Sequence, residues 1–217
     1  RPNATPDMKL VFDTDVGELK PVNFISAAIG GHTALVIRTE ETGERDYEIL
    51  IPSDGLVLAW ERLLEGGAPH GITPVGSQAC EALRIEAGIT KAGPDLNEEI
   101  VPPEANLQEK AFSLSKGCYP GQEVVARMDT YGSVRRHLVG LLVKGSVVPP
   151  KGAKLFTGTR EVGWVSSATL SPALKAPIAF GFPLRDFSVA GTTLTIEADG
   201  AHYEATVQPL PFRQTVS

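Results

Sequence analysis

The chain has 217 residues, enough for one large domain or two modest ones at roughly 150 residues each, with a core that needs no disulfide or metal staple. Hydrophobic residues are 42% and charged residues 21%, an ordinary globular balance that excludes a disordered or collagen-like chain. Lys plus Arg number 20 against 26 Asp plus Glu, a net charge of −6, so nucleic acid, which demands a basic excess, is not expected as a partner. A membrane span is not expected either, because no apolar run approaches ~18 residues.

Gly (22) and Pro (17) are frequent, and a chain that turns so often favours sheet over helical bundle. Residues 22–29 and 33–38 are short apolar runs separated by Gly30-Gly31-His32, the pattern of a hairpin. Tyr47 to Ile51 is a third strand, stopped by Pro52. Ser53 then caps a helix with Leu56, Trp60, Leu63 and Leu64 at helical spacing, ended by Gly66-Gly67. Trp60, like Trp164 further on, reads as a core anchor. Ser77 opens a second helix that carries Cys80 in its core-facing part and stops at Gly88. Residues 93–104 combine three prolines with four acids and read as loop. Asp95, Glu98, Glu99 and Glu104 there lack the spacing of a calcium loop, so no metal site is expected.

From residue 133 six strand-like runs follow, 138–143, 154–156, 162–170, 178–182, 193–198 and 203–207, separated by turn residues such as Gly152, Gly158, Pro172 and Asp199-Gly200. That spacing without helical period predicts a small antiparallel barrel or sandwich. The expected fold class is therefore α+β, with one region over 1–132 and a β-barrel domain over 133–217.

The stretch with most chemistry is Lys116-Gly117-Cys118-Tyr119-Pro120-Gly121-Gln122-Glu123, a Gly- and Pro-locked loop running into a helix. A thiol just ahead of a helix N-terminus, two residues from Lys116, is a candidate reactive cysteine. A buried structural cysteine in a tight turn is the alternative. Cys80 and Cys118 form no CxxC pair, so reduced thiols and a cytoplasmic location are expected. Arg127, one turn beyond Glu123, either pairs with it or meets an anion. Together with Arg135, Arg136 and His137 it makes a basic patch, either a solvated face or a contact for an acidic partner.

Lys116 through Glu123, K-G-C-Y-P-G-Q-E, resembles the signature of the YgfZ-type folate-binding proteins, relatives of the glycine cleavage T-protein (aminomethyltransferase). Thr42-Gly43-Glu44 with Tyr47-Glu48-Ile49 resembles a strand of that superfamily. Leu83-Arg84-Ile85-Glu86-Ala87-Gly88, Gly93-x-Asp95-Leu96 and Pro103-Glu104 resemble its helix and acidic loop, in the same order. The likeness covers roughly residues 40–145.

The resemblance implies a partial folate-binding α+β domain ahead of the barrel, with tetrahydrofolate or a one-carbon derivative as cofactor. It implies support of iron–sulfur cluster assembly or repair, with iron–sulfur proteins or assembly factors as partners and Cys118 as the critical thiol. Folate-dependent aminomethyl transfer and a non-catalytic interaction module are the alternatives. The pterin ring's adjacent N–H donors pair with one carboxylate, and the family's acceptor maps to Glu48. Alternation places Glu48 on the face opposite Tyr47 and Ile49. The family helix usually carries an arginine where this chain has Cys80, and Arg84, one turn on, either stands in as the folate carboxylate's contact or makes a helix-surface salt bridge to Asp or Glu. The polyglutamate tail of a folate is then a further candidate for the patch of Arg127, Arg135, Arg136 and His137. The family's catalytic aspartate lies in an N-terminal segment not matched here. The start at Arg1-Pro2-Asn3 without Met fits a fragment or a processed chain.

Overall fold

The computed structural model describes residues 8, 11–12, 14–108, 111–113, 115–131 and 134–212. They fall into two compact units that divide between Cys80 and Glu81.

The first unit is built on an antiparallel sheet of β1 (Phe24–Ile29), β2 (His32–Thr39) and β3 (Asp46–Leu50), in that order. Gly30 (φ 55) and Gly31 (φ 85) join β1 to β2. A two-residue hairpin whose twist matches its strands needs positive φ at both positions, which glycine adopts without a Cβ clash. The β2–β3 turn carries Thr42-Gly43-Glu44 and is closed by Asp46, whose carboxylate accepts from the Thr42 amide at 2.8 Å and its hydroxyl at 2.6 Å. One sheet face buries Ala27, Ile29, Ala34 and Val36 with Phe12, Val16 and Ala59, and Tyr47 and Ile49 pack against this cluster.

Helix α1 (Leu56–Gly67) covers that core. A 3-10 turn at Ser53–Gly55 precedes it, and Gly55 occupies the cap position in place of the expected Ser53. The buried residues of the helix are Ala59 and Gly67, with Leu63 half-buried. Leu56 and Trp60 are exposed, Trp60 by 54%, so Trp60 is not the core anchor its spacing suggested. The helix meets the core through Ala59, and a Cβ at Gly55 would collide with His32 and one at Gly67 with Ile72. The bulkier Leu56–Trp60 side is left outward.

The division between the units falls within α2 (Ser77–Glu86). Cys80 is exposed, against the expectation of a core position. The second unit continues through a 3-10 turn (Pro102–Ala105) and α3 (Gln122–Tyr131) into six strands: β4 (Val139–Val143), β5 (Lys154–Thr157), β6 (Arg160–Ser171), β7 (Ala176–Gly181), β8 (Thr193–Ala198) and β9 (Ala201–Gln208). They close an antiparallel barrel in the order β4-β7-β6-β5-β8-β9, so the α+β fold with a small barrel stands as expected.

Alternation along β7 splits the packing. Ala179 joins Leu141, Leu155, Val165, Leu194 and Ile196 in one cluster, while Ile178 and Phe180 join Phe182, Leu138, Ile85 and Ala105 in another. Helix α2 from Glu81 and the segment to Ala105 therefore pack on the barrel wall rather than standing apart from it. Residues 93–104 are correspondingly not plain loop, since Asp95, Pro103 and Glu104 are all buried. No helix among the described residues is long and apolar enough to cross a membrane.

Candidate functional site

Glu48 lies on the sheet face away from the α1 core, as alternation along β3 requires, and is exposed. The register sets Phe24 opposite Ile37 and Ile37 opposite Glu48, and sets Leu35 opposite Leu50 one row on. Phe24, Leu35 and Leu50 are all exposed. The result is one carboxylate at the border of an open apolar strip, a surface that suits a flat heterocycle with adjacent N–H donors on its edge.

Cys118 is exposed in the loop that leads into α3, so the buried-structural alternative is excluded. The helix start is built on this loop: the Gln122 amide donates to the Tyr119 carbonyl, and the Val124 and Val125 amides to that of Gly121. The Lys116 ammonium sits 4.7 Å from the centre of the Tyr119 ring. The Tyr119 hydroxyl is shut from solvent without a hydrogen-bond partner. Gln122 is half-buried and Glu123 exposed in the first turn. The Arg127 side chain lies outside the described residues. A cavity of about 460 Å³ opens beside this part of the chain, lined by Phe112, Val125, Met128 and Val134 with Gln108 and Ser115. Its size is in the range of small-molecule sites.

Arg84 is not placed to meet a folate carboxylate. Its side chain is only 7% exposed and every arm of the guanidinium is engaged. Nε and Nη2 donate to Glu81, Nη1 to the Ile89 carbonyl and to Asp95 at 2.8 Å, and Nη2 also to the Ser167 hydroxyl. The guanidinium also lies 5.6 Å from the Phe180 ring centre. The sequence-selected Glu48, Arg84 and Cys118 thus occupy three separate settings: an open sheet, a buried network and an exposed loop.

Comparison with known families matches residues 2–113 to the GCVT N-terminal domain and residues 136–213 to the glycine cleavage T-protein C-terminal barrel domain. The chain belongs to the glycine cleavage T-protein family. Curated relatives of this T-protein chain include proteins named aminomethyltransferase from Chlorobium luteolum, 34% identical over 99% of this chain and 58% of the relative, and from Thermosynechococcus vestitus, 32% identical over 97% and 56%. The chain therefore spans somewhat over half the length of these relatives. The crystal structure of the glycine cleavage system aminomethyltransferase T from Bartonella henselae superposes with a TM-score of 0.72, covering 99% of this chain and 82% of that one. At 18% identity that likeness shows a shared T-protein fold.

Sequence reasoning missed the polar centre of the T-protein barrel unit. Asp95 accepts from Arg84, from the Lys91 amide at 3.0 Å, and from the hydroxyls of Ser166 and Ser167 at 2.6 Å each. Glu86, also buried, accepts from the Ser171 hydroxyl and the Ala173 amide. The available signal was three serines, Ser166, Ser167 and Ser171, in a strand that also carries Val162, Trp164, Val165 and Leu170. A buried hydroxyl needs a partner, and buried acids on a neighbouring element are the natural one.

Proposed function

We propose that this chain binds a reduced folate and takes part in folate-dependent one-carbon transfer of the aminomethyl kind, the activity named for its curated relatives. The observation that carries the proposal is Glu48: an exposed carboxylate in register with Ile37 and Phe24 on a sheet face whose Phe24, Leu35 and Leu50 are also exposed. A pterin ring fits that surface, its apolar faces against the strip and its adjacent N–H groups on the two carboxylate oxygens. Tetrahydrofolate, when bound, supplies the nitrogens that carry the one-carbon unit. Glu48 holds and orients the ring, since charge-assisted bonds from two neighbouring donors fix both position and rotation.

A second reading is favoured by a different observation. The exposed Cys118, in the K-G-C-Y-P-G-Q-E loop ahead of α3, supports a YgfZ-type role in iron–sulfur cluster assembly or repair, with Lys116, Gly117, Tyr119, Gly121, Gln122, Glu123 and Arg127 as its setting. Folate binding is common to both readings. A cytoplasmic location and a division of the chain at residue 132, just ahead of the barrel match, belong to the same proposal.

Calorimetric titration of tetrahydrofolate into the protein tests the shared part, with saturable binding expected and its absence overturning both readings. Turnover of an aminomethyl-loaded carrier protein separates them. Turnover unaffected by Cys118→Ala supports the first. No turnover, with iron–sulfur enzyme activity in cells that is lost in Cys118→Ala, supports the second.

A further inference from the structure

We propose that the barrel unit carries a docking surface for an acidic peptide segment of a partner protein, built from Arg135, Arg136, Arg160 and Arg185. The surface is independent of the folate reading. Three neighbouring stretches assemble it. Arg136 bridges antiparallel to Leu184, the Arg185 amide donates to the Arg135 carbonyl at 3.0 Å, and the His137 amide donates to the Pro183 carbonyl at 3.3 Å. The Leu184 amide in turn donates to the Val162 carbonyl at 2.7 Å, tying this pair to the start of β6, where Arg160 stands. The arginines are thus mounted on the barrel wall rather than on a free loop.

Two of the guanidinium groups rest on aromatic rings. That of Arg136 lies 4.8 Å from the Trp164 ring centre and that of Arg160 lies 5.7 Å from Phe187. Stacking occupies the flat face of a guanidinium and leaves its N–H edge available, which is the edge that grips a carboxylate in a two-point fork. Among the described residues, no carboxylate pairs with Arg135, Arg136 or Arg160. The Arg136 Nε is shut from solvent and has no hydrogen-bond acceptor, and a desolvated charged donor without an acceptor is costly enough to need explaining. An incoming carboxylate supplies acceptors for the outer N–H groups of the same guanidinium.

The surroundings narrow the partner. The nearby acids include Glu104, which is buried and acts on His137, Asp186, adjacent to Arg185, and Glu161, adjacent to Arg160 and paired with Lys154. Burial and the neighbouring Arg185 hold His137 below the ordinary histidine range, so near neutral pH the positive charge comes from the arginines. On a chain of net charge −6 this is a local island. A long polyphosphate laid across it meets repulsion beyond its edges, whereas a short run of Asp or Glu side chains ends where the island ends.

Trp164 reports on the site. The chain has 2 tryptophans, and Trp60→Phe, at an exposed position, leaves Trp164 as the sole emitter. Titrating the full chain carrying that change with a hexaglutamate peptide is expected to shift Trp164 emission saturably, with affinity that falls as salt rises. Arg135→Glu, at an exposed residue, and Arg136→Gln are each expected to weaken binding about tenfold, which is ~1.4 kcal/mol. Where Arg136→Gln disturbs the packing of Trp164, Arg135→Glu and Arg160→Glu decide, with the thermal midpoint as the check on folding. Absence of a saturable shift at physiological salt, or unchanged peptide affinity in the charge-reversed variants, overturns the proposal. An oligonucleotide of matched charge that binds more tightly than the peptide also overturns it, in favour of a phosphate-binding face.

Discussion

The guanidinium of Arg84 meets the carboxylate of Asp95 at 2.8 Å, with the Asp95 side chain wholly withdrawn from solvent. Asp95 also takes the hydroxyls of Ser166 and Ser167 from β6, so one carboxylate joins α2, the loop after it and the barrel wall. Removing one partner of a buried ion pair strands the other charge, at a cost of about 3–5 kcal/mol. Asp95→Ala should fall toward the lower end of that range, because Arg84 keeps Glu81. Urea unfolding checks this, and a loss below about 1 kcal/mol would show that the pair adds little beyond its surroundings.

Glu48→Gln keeps the shape of the side chain while removing its charge and one acceptor. Folate affinity should fall by the worth of a charge-assisted hydrogen bond, about 1.5–3 kcal/mol. Stability should stay within about 0.5 kcal/mol, since the residue is exposed. Calorimetry on wild type and variant reads both quantities, and equal affinities would remove Glu48 from the site.

Much of this molecule is written locally and could be read in that way. The Gly30-Gly31 hairpin, the alternation that sets Glu48 opposite Tyr47, and the barrel strands each follow from residues a few positions apart. What was hidden depends on distant partners. Arg84 reads as a folate contact from its helix alone, because its helix neighbours say nothing of Asp95 or of Ser167, 83 positions on. Trp60 looked like core because size and spacing favour it, yet the helix turns Ala59 to the sheet core and leaves Trp60 outward. The change of pattern at residue 133 marks where short strands begin, whereas compactness follows packing, and Ile85 and Ala105 share a cluster with Phe180 and Phe182.

Cys118 and Cys80 are both exposed, so accessibility does not distinguish them. A thiol-alkylating reagent should modify both in the native protein without denaturant, as peptide mass spectrometry will show. The distinction is functional. Cys118→Ala should leave the unfolding midpoint unchanged and abolish the thiol-dependent activity, whereas Cys80→Ala should retain it. Native protection of Cys118 from the reagent would contradict the exposed loop.

Acid should weaken the fold in two separable windows. His137 sits below the ordinary value of 6.5 chiefly through burial, then through Arg185, with Glu104 opposing. The unfolded chain therefore takes up a proton before the folded one, and stability falls as pH drops through 6.5. Glu81 is lowered from 4.5, first by its hydrogen bond from Arg84. Its contribution is present above that value and is lost as pH falls through the lower folded value. His137→Asn should flatten the upper window and Glu81→Gln the lower, in denaturation midpoints followed against pH.

A pair of glycine substitutions separates a glycine kept for packing from one kept for the site. A Cβ on Gly163 would lie 2.3 Å from the Phe182 carbonyl oxygen and 2.8 Å from the Pro183 Cα. Both are backbone atoms, so no side chain can rotate away, and the Phe182–Leu184 stretch would have to leave β6. The hydrogen bonds from the Phe182 amide to Trp164 and from the Leu184 amide to Val162 span this contact. Gly163→Ala should therefore cost about 1–3 kcal/mol, the range for overpacking a filled interior. It should also alter Trp164 emission, because Trp164 stacks on Phe182 with ring centres 5.7 Å apart. Gly117 is the opposite case: a Cβ there meets nothing within 4 Å, and its φ is not in the left-handed region. Gly117→Ala should leave the thermal midpoint unchanged. If that variant loses folate binding or thiol-dependent activity while staying folded, a ligand's close approach to the Cys118 loop is what requires glycine there. If it retains both, Gly117 is dispensable to the site.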